Sequence, residues 1–279
     1  MHPKTVGLFV HSHREDRLDK ASRTIDSLRA YGWIVYAEKW LADLPQFSLP
    51  PLLSAVDILL ALGGDGTLLR AASYAIKWKV PLLGINLGRL GFLTEAEYEV
   101  IDEAIRLVYL GTYFTEKRML LEIQINNGQK ILALNDAVIS RSGYTRIISI
   151  DASVSGDLIG SYRADGLIVS SPTGSTGYSL SAGGPIISPD LECIILTPIC
   201  AHSLQHRPVV VKASDIIRLH LRSEEKGVAA LVVDGNDPIL LNSGAIIDVR
   251  KARTSLRLIR FSKLRFFSLV RNKLNEWTR

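Results

Sequence analysis

Cysteine is scarce in this chain. Cys193 and Cys200 are the two present among 279 residues. That is too few for a disulfide scaffold, so reduced thiols and a cytoplasmic location are expected. No apolar run approaches the roughly 20 residues of a membrane helix. No positively charged, then apolar leader is evident at the start. Neither a membrane partner nor secretion is therefore expected. Long polar tracts, internal repeats and low-complexity linkers are also missing. With 47% hydrophobic and 22% charged residues, the composition is that of a globular chain with room for two cores. Three catalytic signatures do not occur: the G-x-x-x-x-G-K-[ST] phosphate loop, the protein-kinase motif set and the G-x-S-x-G nucleophile elbow. Cys193, Cys200, His202 and His206 fit no standard zinc spacing. The formal net charge is +5, with basic residues crowded after Arg250. Such a surface attracts nucleotides. Without a binding signature, a nucleic-acid partner is not expected.

What is present starts with Gly63-Gly64-Asp65-Gly66-Thr67. The apolar run Val56–Leu62 precedes it, and Leu68–Ile76 comes after it with helical spacing. The segment is thus a glycine-rich turn from a buried strand into a helix, where backbone N–H groups converge on one point and suit phosphate. Asp65 is the unusual member. A carboxylate in a phosphate cradle repels its ligand unless it holds a bridging metal or accepts a proton from an attacking hydroxyl. That pairing points to phosphoryl transfer. The plainer alternative is a tight turn with an Asp or Thr helix cap.

Strand-like Thr5–Val10, Trp33–Ala37, Val56–Leu62 and Val80–Ile85 alternate with helical Asp16–Tyr31 and the segment after Gly66. This pattern predicts a doubly wound, Rossmann-like parallel sheet over residues 1–114, with ligands beyond the carboxyl ends of its strands. Past a helix over Glu99–Leu110 the period changes to two. Leu121, Ile123 and Ile125 alternate with polar residues, and Asn127-Gly128 signals a hairpin. Ile148–Val154 and Ile217–Leu221 alternate likewise, with Ser155-Gly156 as a second turn. Residues 115–254 therefore read as an antiparallel β domain, sandwich-like in class. Residues 255–279 read as a strand, Leu256–Phe261, and an amphipathic helix, Phe266–Trp277, returning to the first domain or closing the second.

A second cluster spans Ser161–Pro185. Its hydroxyls between Ser170 and Ser181, and Gly174, Gly177, Gly183 and Gly184, suit the ribose and phosphates of a dinucleotide. Asp165 stands apart as a ribose-hydroxyl acceptor. A Ser/Gly-rich surface loop is the alternative. Asn135-Asp136 interrupts the apolar run Leu132–Ile139 and could bind adenine or ribose. Asp234-Gly235-Asn236 reads as a β-turn.

Taken together, these segments resemble the NAD kinase family. The matching pieces are Gly63–Thr67, Asn86–Thr94, Asn135-Asp136, Asp165–Pro185, Thr197–Cys200 with His202, and Val233–Gly235, in family order. The resemblance implies transfer of the γ-phosphoryl of ATP to the 2′-hydroxyl of the adenosine ribose of NAD. It also implies a divalent metal, Mg²⁺ by preference, and a homodimer or homotetramer. By position it makes Asp65 the catalytic acid–base group with Gly66 beside it. It assigns Asn135 and Asp136 to the adenosine of NAD, and Arg146, Arg163 and Asp165 to the substrate site. Thr176, Gly177, Tyr178, Ser179, Leu180 and Ser181 complete the dinucleotide wall, and Asn236 fills a further binding position. Where the family usually has Asn-Glu, Ala and Gln, this chain has Asn135-Asp136, Gly177 and Asn236. A lipid or sphingoid kinase shares the five-residue turn and is the alternative enzyme; a non-catalytic NAD(P)-sensing module is the alternative from another class.

Overall fold

A computed structural model describes residues 4–11, 15–88, 90–142, 147–202, 206–222, 228–262 and 266–277. The chain divides into two compact units, Met1–Lys117 with Leu256–Arg279, and Arg118–Ser255. Among the described residues, no helix is long and apolar enough to cross a membrane.

The first unit is α/β. Its elements are β1 (Thr5–Val10), α1 (Glu15–Ala30), β2 (Ile34–Ala37), α2 (Lys39–Ala42), β3 (Ile58–Leu62), α3 (Asp65–Trp78), β4 (Leu82–Asn86), β5 (Ala96–Glu97) and α4 (Ile101–Leu110). The strands run parallel in the order β2-β1-β3-β4. β3 and β4 are buried along their whole length, as expected of a parallel sheet covered on both faces. Val6, Leu8 and Val10 alternate onto the face that packs with Ile25 and Leu28 of α1 and Ile105 and Val108 of α4. α3 buries Leu68, Ala71, Ala72 and Ala75. The order reverses between β1 and β3. That crevice, at the carboxyl ends, is where a doubly wound sheet binds ligands, and the turn carrying Asp65 leaves β3 there.

The second unit contains two sheets. Its elements are β6 (Phe114–Ile125), β7 (Lys130–Ala133), β8 (Asp136–Ser142), β9 (Ile148–Val154), β10 (Asp157–Ala164), β11 (Gly166–Ser170), α5 (Tyr178–Ser181), β12 (Cys193–Ile199), β13 (Val209–Lys212), β14 (Ile217–Leu221), β15 (Val228–Val233), β16 (Ile239–Leu241) and β17 (Ile246–Arg260), except that the start of β6, to Lys117, and the end of β17, from Leu256, belong to the first unit. One sheet carries β10-β9-β14-β17, with β6 beside β17 and β7 beside β6; the other is β13-β12-β11-β8-β15-β16. Ile150, Ala152 and Leu219 from the first meet Ile139, Val169 and Leu196 from the second in one core, which is sandwich packing. The last described element is α6 (Phe266–Trp277).

Three local expectations change. The first hairpin takes its left-handed residues at Asn126 and Asn127, with φ of 46° and 59°, one position earlier than the Asn-Gly pair suggested. The reason is that Asn126 caps the neighbouring strand, its Oδ1 accepting the Ile246 N–H at 2.8 Å. The run Leu132–Ile139 is two strands, β7 and β8, broken at Leu134-Asn135. The segment read as a separate strand from Leu256 is the end of the 15-residue β17. Its earlier residues Ile247 and Val249 lie in the sandwich core, and Leu258 pairs in parallel with Leu82 of β4.

Candidate active site

In the first unit, Asp65 is the first residue of α3, with Gly64 as its cap. A helix leaves its first N–H groups without intrahelical partners, so the turn offers amides and the positive end of the helix dipole to an anion. The Asp65 carboxylate is fixed by the loop after β4. Oδ2 accepts the Phe92 N–H at 2.9 Å and Oδ1 the Leu93 N–H at 3.1 Å. Gly91 makes that approach possible, because a Cβ there would lie 2.1 Å from Asp65 Oδ1. The loop is itself braced. Thr94 Oγ1 accepts the Gly91 N–H at 2.9 Å, and Asn86 Oδ1 accepts the Gly88 N–H at 2.9 Å. Beneath it, buried Arg260 donates from Nη1 to the Leu93 carbonyl at 3.1 Å and to Glu95 at 3.1 Å, and from Nε to Glu116 at 2.7 Å. Burial raises the Glu95 carboxyl, against the lowering effect of the Phe261 N–H and the Arg260 charge. Gly66 is exposed at the same helix end.

In the second unit, Asn135 lies in the break between β7 and β8, and Asp136 opens β8. Asp234, just past β15, organises both. Its Oδ2 accepts the Leu134 N–H at 2.6 Å; its Oδ1 accepts those of Asn135 at 2.7 Å and Asp136 at 3.1 Å. Asp136 is only 6% exposed. Burial, reinforced by the Asp234 charge, pushes its carboxyl up to about 7. Burial also raises Asp234, against its three backbone N–H partners. Asn135 Oδ1 and Ser170 Oγ are buried with no hydrogen-bond partner among the described residues. A stranded acceptor of this kind is destabilising by about 1–3 kcal/mol, and a ligand donor would satisfy it.

The glycine and hydroxyl cluster wraps this break. Gly174 packs on Asn135, where a Cβ would meet the Asn135 carbonyl oxygen at 2.2 Å. Gly177 faces the Asn135 amide and the Asp136 carboxylate, 3.7 and 3.9 Å from the position of a Cβ. Thr176 turns its hydroxyl to the Thr173 carbonyl at 3.2 Å. Tyr178 and Ser181 are exposed at the two ends of α5 and Leu180 is half-buried. Ser179 is different: it is fully buried and its hydroxyl pairs with Thr197 at 2.8 Å. Its part here is internal. Asp165 pairs with Arg141 at 2.9 Å, while Arg163 is exposed on β10. Asn236 closes its own turn, donating from Nδ2 to the Val233 carbonyl at 2.8 Å. Arg146 lies outside the described residues.

Sequence reasoning read Asp234 as part of a turn and Gly174 as one of several cluster glycines, and it assigned no site role to Gly91 or Arg260. An Asp-Gly pair between two strands reads as a turn, and Asp234 and Gly235 do adopt positive φ, 49° and 71°. The side-chain role appears only when β8 and β15 become neighbours.

Two family models cover these segments. The ATP-NAD kinase N-terminal domain matches residues 8–113 and the ATP-NAD kinase C-terminal domain matches residues 134–261. The chain belongs to the NAD kinase family. It is 48% identical to the NAD kinase of Moorella thermoacetica over 225 residues, 80% of this chain and 72% of that one. It is 40% identical to the NAD kinase of Heliobacterium modesticaldum over 280 residues, 98% and 99% of the two chains. Among solved structures, yeast NADH kinase complexed with NADH superposes with a TM-score of 0.84 at 26% identity, covering 94% of this chain and 84% of that one. An NAD kinase from Archaeoglobus fulgidus in complex with ATP gives 0.76 at 26% identity, covering 97% and 98%. The N-terminal family model contains the Asp65 turn and the loop that holds it. The C-terminal family model contains Asn135, Asp136, the hydroxyl cluster, Asp234 and Arg260. Among the described residues, no group of three or more His, Cys, Asp or Glu side chains could hold a metal ion.

Proposed function

We propose that this member of the NAD kinase family transfers the γ-phosphoryl of ATP to the 2′-hydroxyl of the adenosine ribose of NAD, giving NADP. The observation that carries the reading is Asp65: a carboxylate at a helix N-terminus suited to phosphate, oriented through both oxygens by backbone N–H groups. Phosphoryl transfer asks a protein mainly for positioning and charge stabilisation. The ribose hydroxyl is a weak nucleophile. Asp65 orients it and takes its proton as the oxygen–phosphorus bond forms and the bond to the β-phosphate oxygen breaks, with ADP leaving. Asn135 and Asp136 hold the adenosine of NAD, with the stranded Asn135 Oδ1 as an acceptor. Gly177 lets the ligand approach both side chains, and Thr176, Tyr178, Leu180 and Ser181 continue the wall. Arg163 and Asp165 line the same substrate site. A divalent cation such as Mg²⁺ would accompany the triphosphate and would supply neutralisation of its phosphate charge. A homo-oligomer in the cytoplasm completes the reading; Cys193 and Cys200 are free thiols, in keeping with a reducing compartment.

The experiment is direct. The chain is incubated with NAD, ATP and Mg²⁺, and NADP is sought by mass spectrometry; no NADP would remove the reading. Asp65→Asn should lower turnover by about 10²–10⁴-fold while calorimetry still detects NAD binding. An Asp65→Asn variant that turns over like wild type would remove Asp65 from the mechanism.

A further inference from the structure

The segment from Gly91 to Glu95, ahead of β5, is held mostly by side chains. The Gly91 N–H reaches the Thr94 hydroxyl at 2.9 Å, and the Phe92 and Leu93 N–H groups reach Asp65 at 2.9 and 3.1 Å. The Glu95 N–H returns to β4 at the Gly84 carbonyl, 2.8 Å away. Leu93 is gripped at both ends. Its N–H lies on Asp65 Oδ1, and its carbonyl accepts from Arg260 Nη1 at 3.1 Å. A displacement of Arg260 therefore passes through one residue to the carboxylate.

Arg260 is the last residue of β17. It lies in the first unit together with Asp65, Leu93, Glu95 and Glu116. Its side chain is 1% exposed, so it meets no ligand itself. The guanidinium is fixed in plane and in direction. Nη1 also donates to Glu95 at 3.1 Å, and Nε donates to Glu116 at 2.7 Å. The other Glu95 oxygen accepts the Phe261 N–H at 2.8 Å, which ties this acceptor to the backbone beside the donor. A planar fork held in this way aims Nη1 at one carbonyl, whereas an ammonium on a flexible stem sets no direction. Stability alone does not call for it. Apolar side chains of similar volume often fill such a place as well as a buried ion triad or better, because no charge then leaves water. What the triad adds is a specified position for the Leu93 carbonyl.

We propose that Arg260 is a positioning residue for the phosphoryl transfer: through the Leu93 peptide it sets where the Asp65 carboxylate points, and so controls kcat without touching a substrate. The inference rests on the phosphotransfer reading above and adds to it a rate-setting group on a strand remote in sequence from the phosphate turn. A misplacement of about 1 Å at the reacting groups lowers a rate by about 10²-fold, so a small shift of Leu93 suffices.

The test variant is Arg260→Lys in the full chain. It keeps a cation between Glu95 and Glu116 but lacks the fork that serves three acceptors at once. Per folded molecule, kcat should fall roughly 10- to 100-fold, while KM for ATP, KM for NAD and the calorimetric affinity for NAD stay within about twofold. In an Asp65→Asn background the same substitution should lower kcat little further, because the two residues act as one unit. Wild-type kcat per folded molecule would overturn the inference, as would a loss that multiplies in full with that of Asp65→Asn. Glu116→Gln is the milder variant if Arg260→Lys does not fold. It loosens only the Nε end, and it should lower kcat severalfold at unchanged KM; an unchanged kcat would again count against the proposal. Amide hydrogen exchange at Phe92 and Leu93, read by NMR, needs no turnover. It should be about tenfold faster in either variant than in wild type, and unchanged exchange would overturn the inference. Faster exchange in a chain that forms no NADP would uphold Arg260 as the prop of Asp65 and overturn the proposed reaction.

Discussion

Replacing Asp234 by Asn removes one charge and keeps the shape, with two effects of opposite sign. The carboxylate accepts three consecutive N–H groups, two on Oδ1 and one on Oδ2. An amide has one accepting end. Whichever way it turns, at least one buried N–H of Leu134, Asn135 or Asp136 then faces an NH₂ group, a loss of about 1–3 kcal/mol. Relief at Asp136 works in the other direction. Its folded pKa, about 7, lies above the ordinary 3.8, so between those values the folded chain keeps a proton that the unfolded chain has released. Stability on this account is full below about pH 4 and is lost as pH rises through 7, a difference of roughly 4 kcal/mol. Removing the Asp234 charge lowers the Asp136 pKa and flattens that slope. The variant should therefore be less stable than wild type by about 1–2 kcal/mol at pH 5, with the gap closing towards pH 8. Because the backbone carrying Asn135 and Asp136 is disturbed, KM for NAD should rise while KM for ATP holds. Urea denaturation at pH 5 to 8 and steady-state kinetics with each substrate varied measure these effects. An Asp234→Asn variant with the wild-type pH slope and the wild-type KM for NAD would refute both the charge coupling and the positioning role.

Three further substitutions test the rest of the frame. Gly91→Ala places a Cβ 2.1 Å from Asp65 Oδ1 and must displace the carboxylate; turnover should fall about as far as for Asp65→Asn, roughly 10²-fold or more, and normal turnover would show that Asp65 need not stay on this loop. Gly177→Ala places a Cβ 3.3 Å from the Gly174 carbonyl oxygen, its one tight contact, with Asn135 and Asp136 at ordinary contact distance, and φ of −97° is outside the left-handed region, so folding stability by thermal melting should change by less than about 1 kcal/mol, whereas a large loss would mean that this wall cannot yield. Arg260→Met removes the guanidinium that pairs with Glu95, 4% exposed, and Glu116; urea denaturation should record a loss of about 3–5 kcal/mol, and an unchanged midpoint would show that the triad contributes little.

The fold was legible where periodicity was strong. β1 and α6 match their sequence limits residue for residue, and the change of period near residue 115 lies close to where the first unit gives way at Lys117. Long-range pairing was not legible. Nothing local in Leu256–Phe261 tells that the strand begins ten residues earlier, at Ile246, because its outer part alternates with charged residues such as Asp248, Arg250 and Lys251. At the candidate site, the side chains expected to carry chemistry were visible as departures from packing: an acid in a phosphate turn, two polar residues in an apolar run. The residues that orient them were not. Gly91 matters for what approaches it, Asp234 for what lies 98 to 100 residues away, and Arg260 for a carbonyl 167 residues away. Ser179 shows the converse. It sits between exposed Tyr178 and Ser181, yet one helical step turns its side chain inward to Thr197.

The two units solve one problem in opposite senses. A loop that must hold a reactive or binding group cannot rely on helix or ladder bonds, so its N–H groups need another acceptor. In the first unit the acceptor is the reactive group itself: Phe92 and Leu93 bind Asp65, and Arg260 braces this part of the loop through the Leu93 carbonyl. In the second unit the acceptor is a bystander: Asp234 binds the backbone of Leu134, Asn135 and Asp136, while Asn135 Oδ1 has no partner among the described residues and burial with the Asp234 charge pushes the Asp136 carboxyl up to about 7. The consequences differ. Asp65 keeps a fixed direction and each of its oxygens retains a further lone pair for a hydroxyl. Asp136 is held at the expense of repulsion from the very carboxylate that positions it, and a ligand that donates to Asp136 relieves that repulsion. Binding of a hydroxyl or amine donor at Asp136 should therefore favour its ionised form and release a proton near neutral pH. Calorimetry of NAD binding in buffers of different ionisation enthalpy reads that proton directly, and its absence at pH 7 would mean that Asp136 does not touch the ligand.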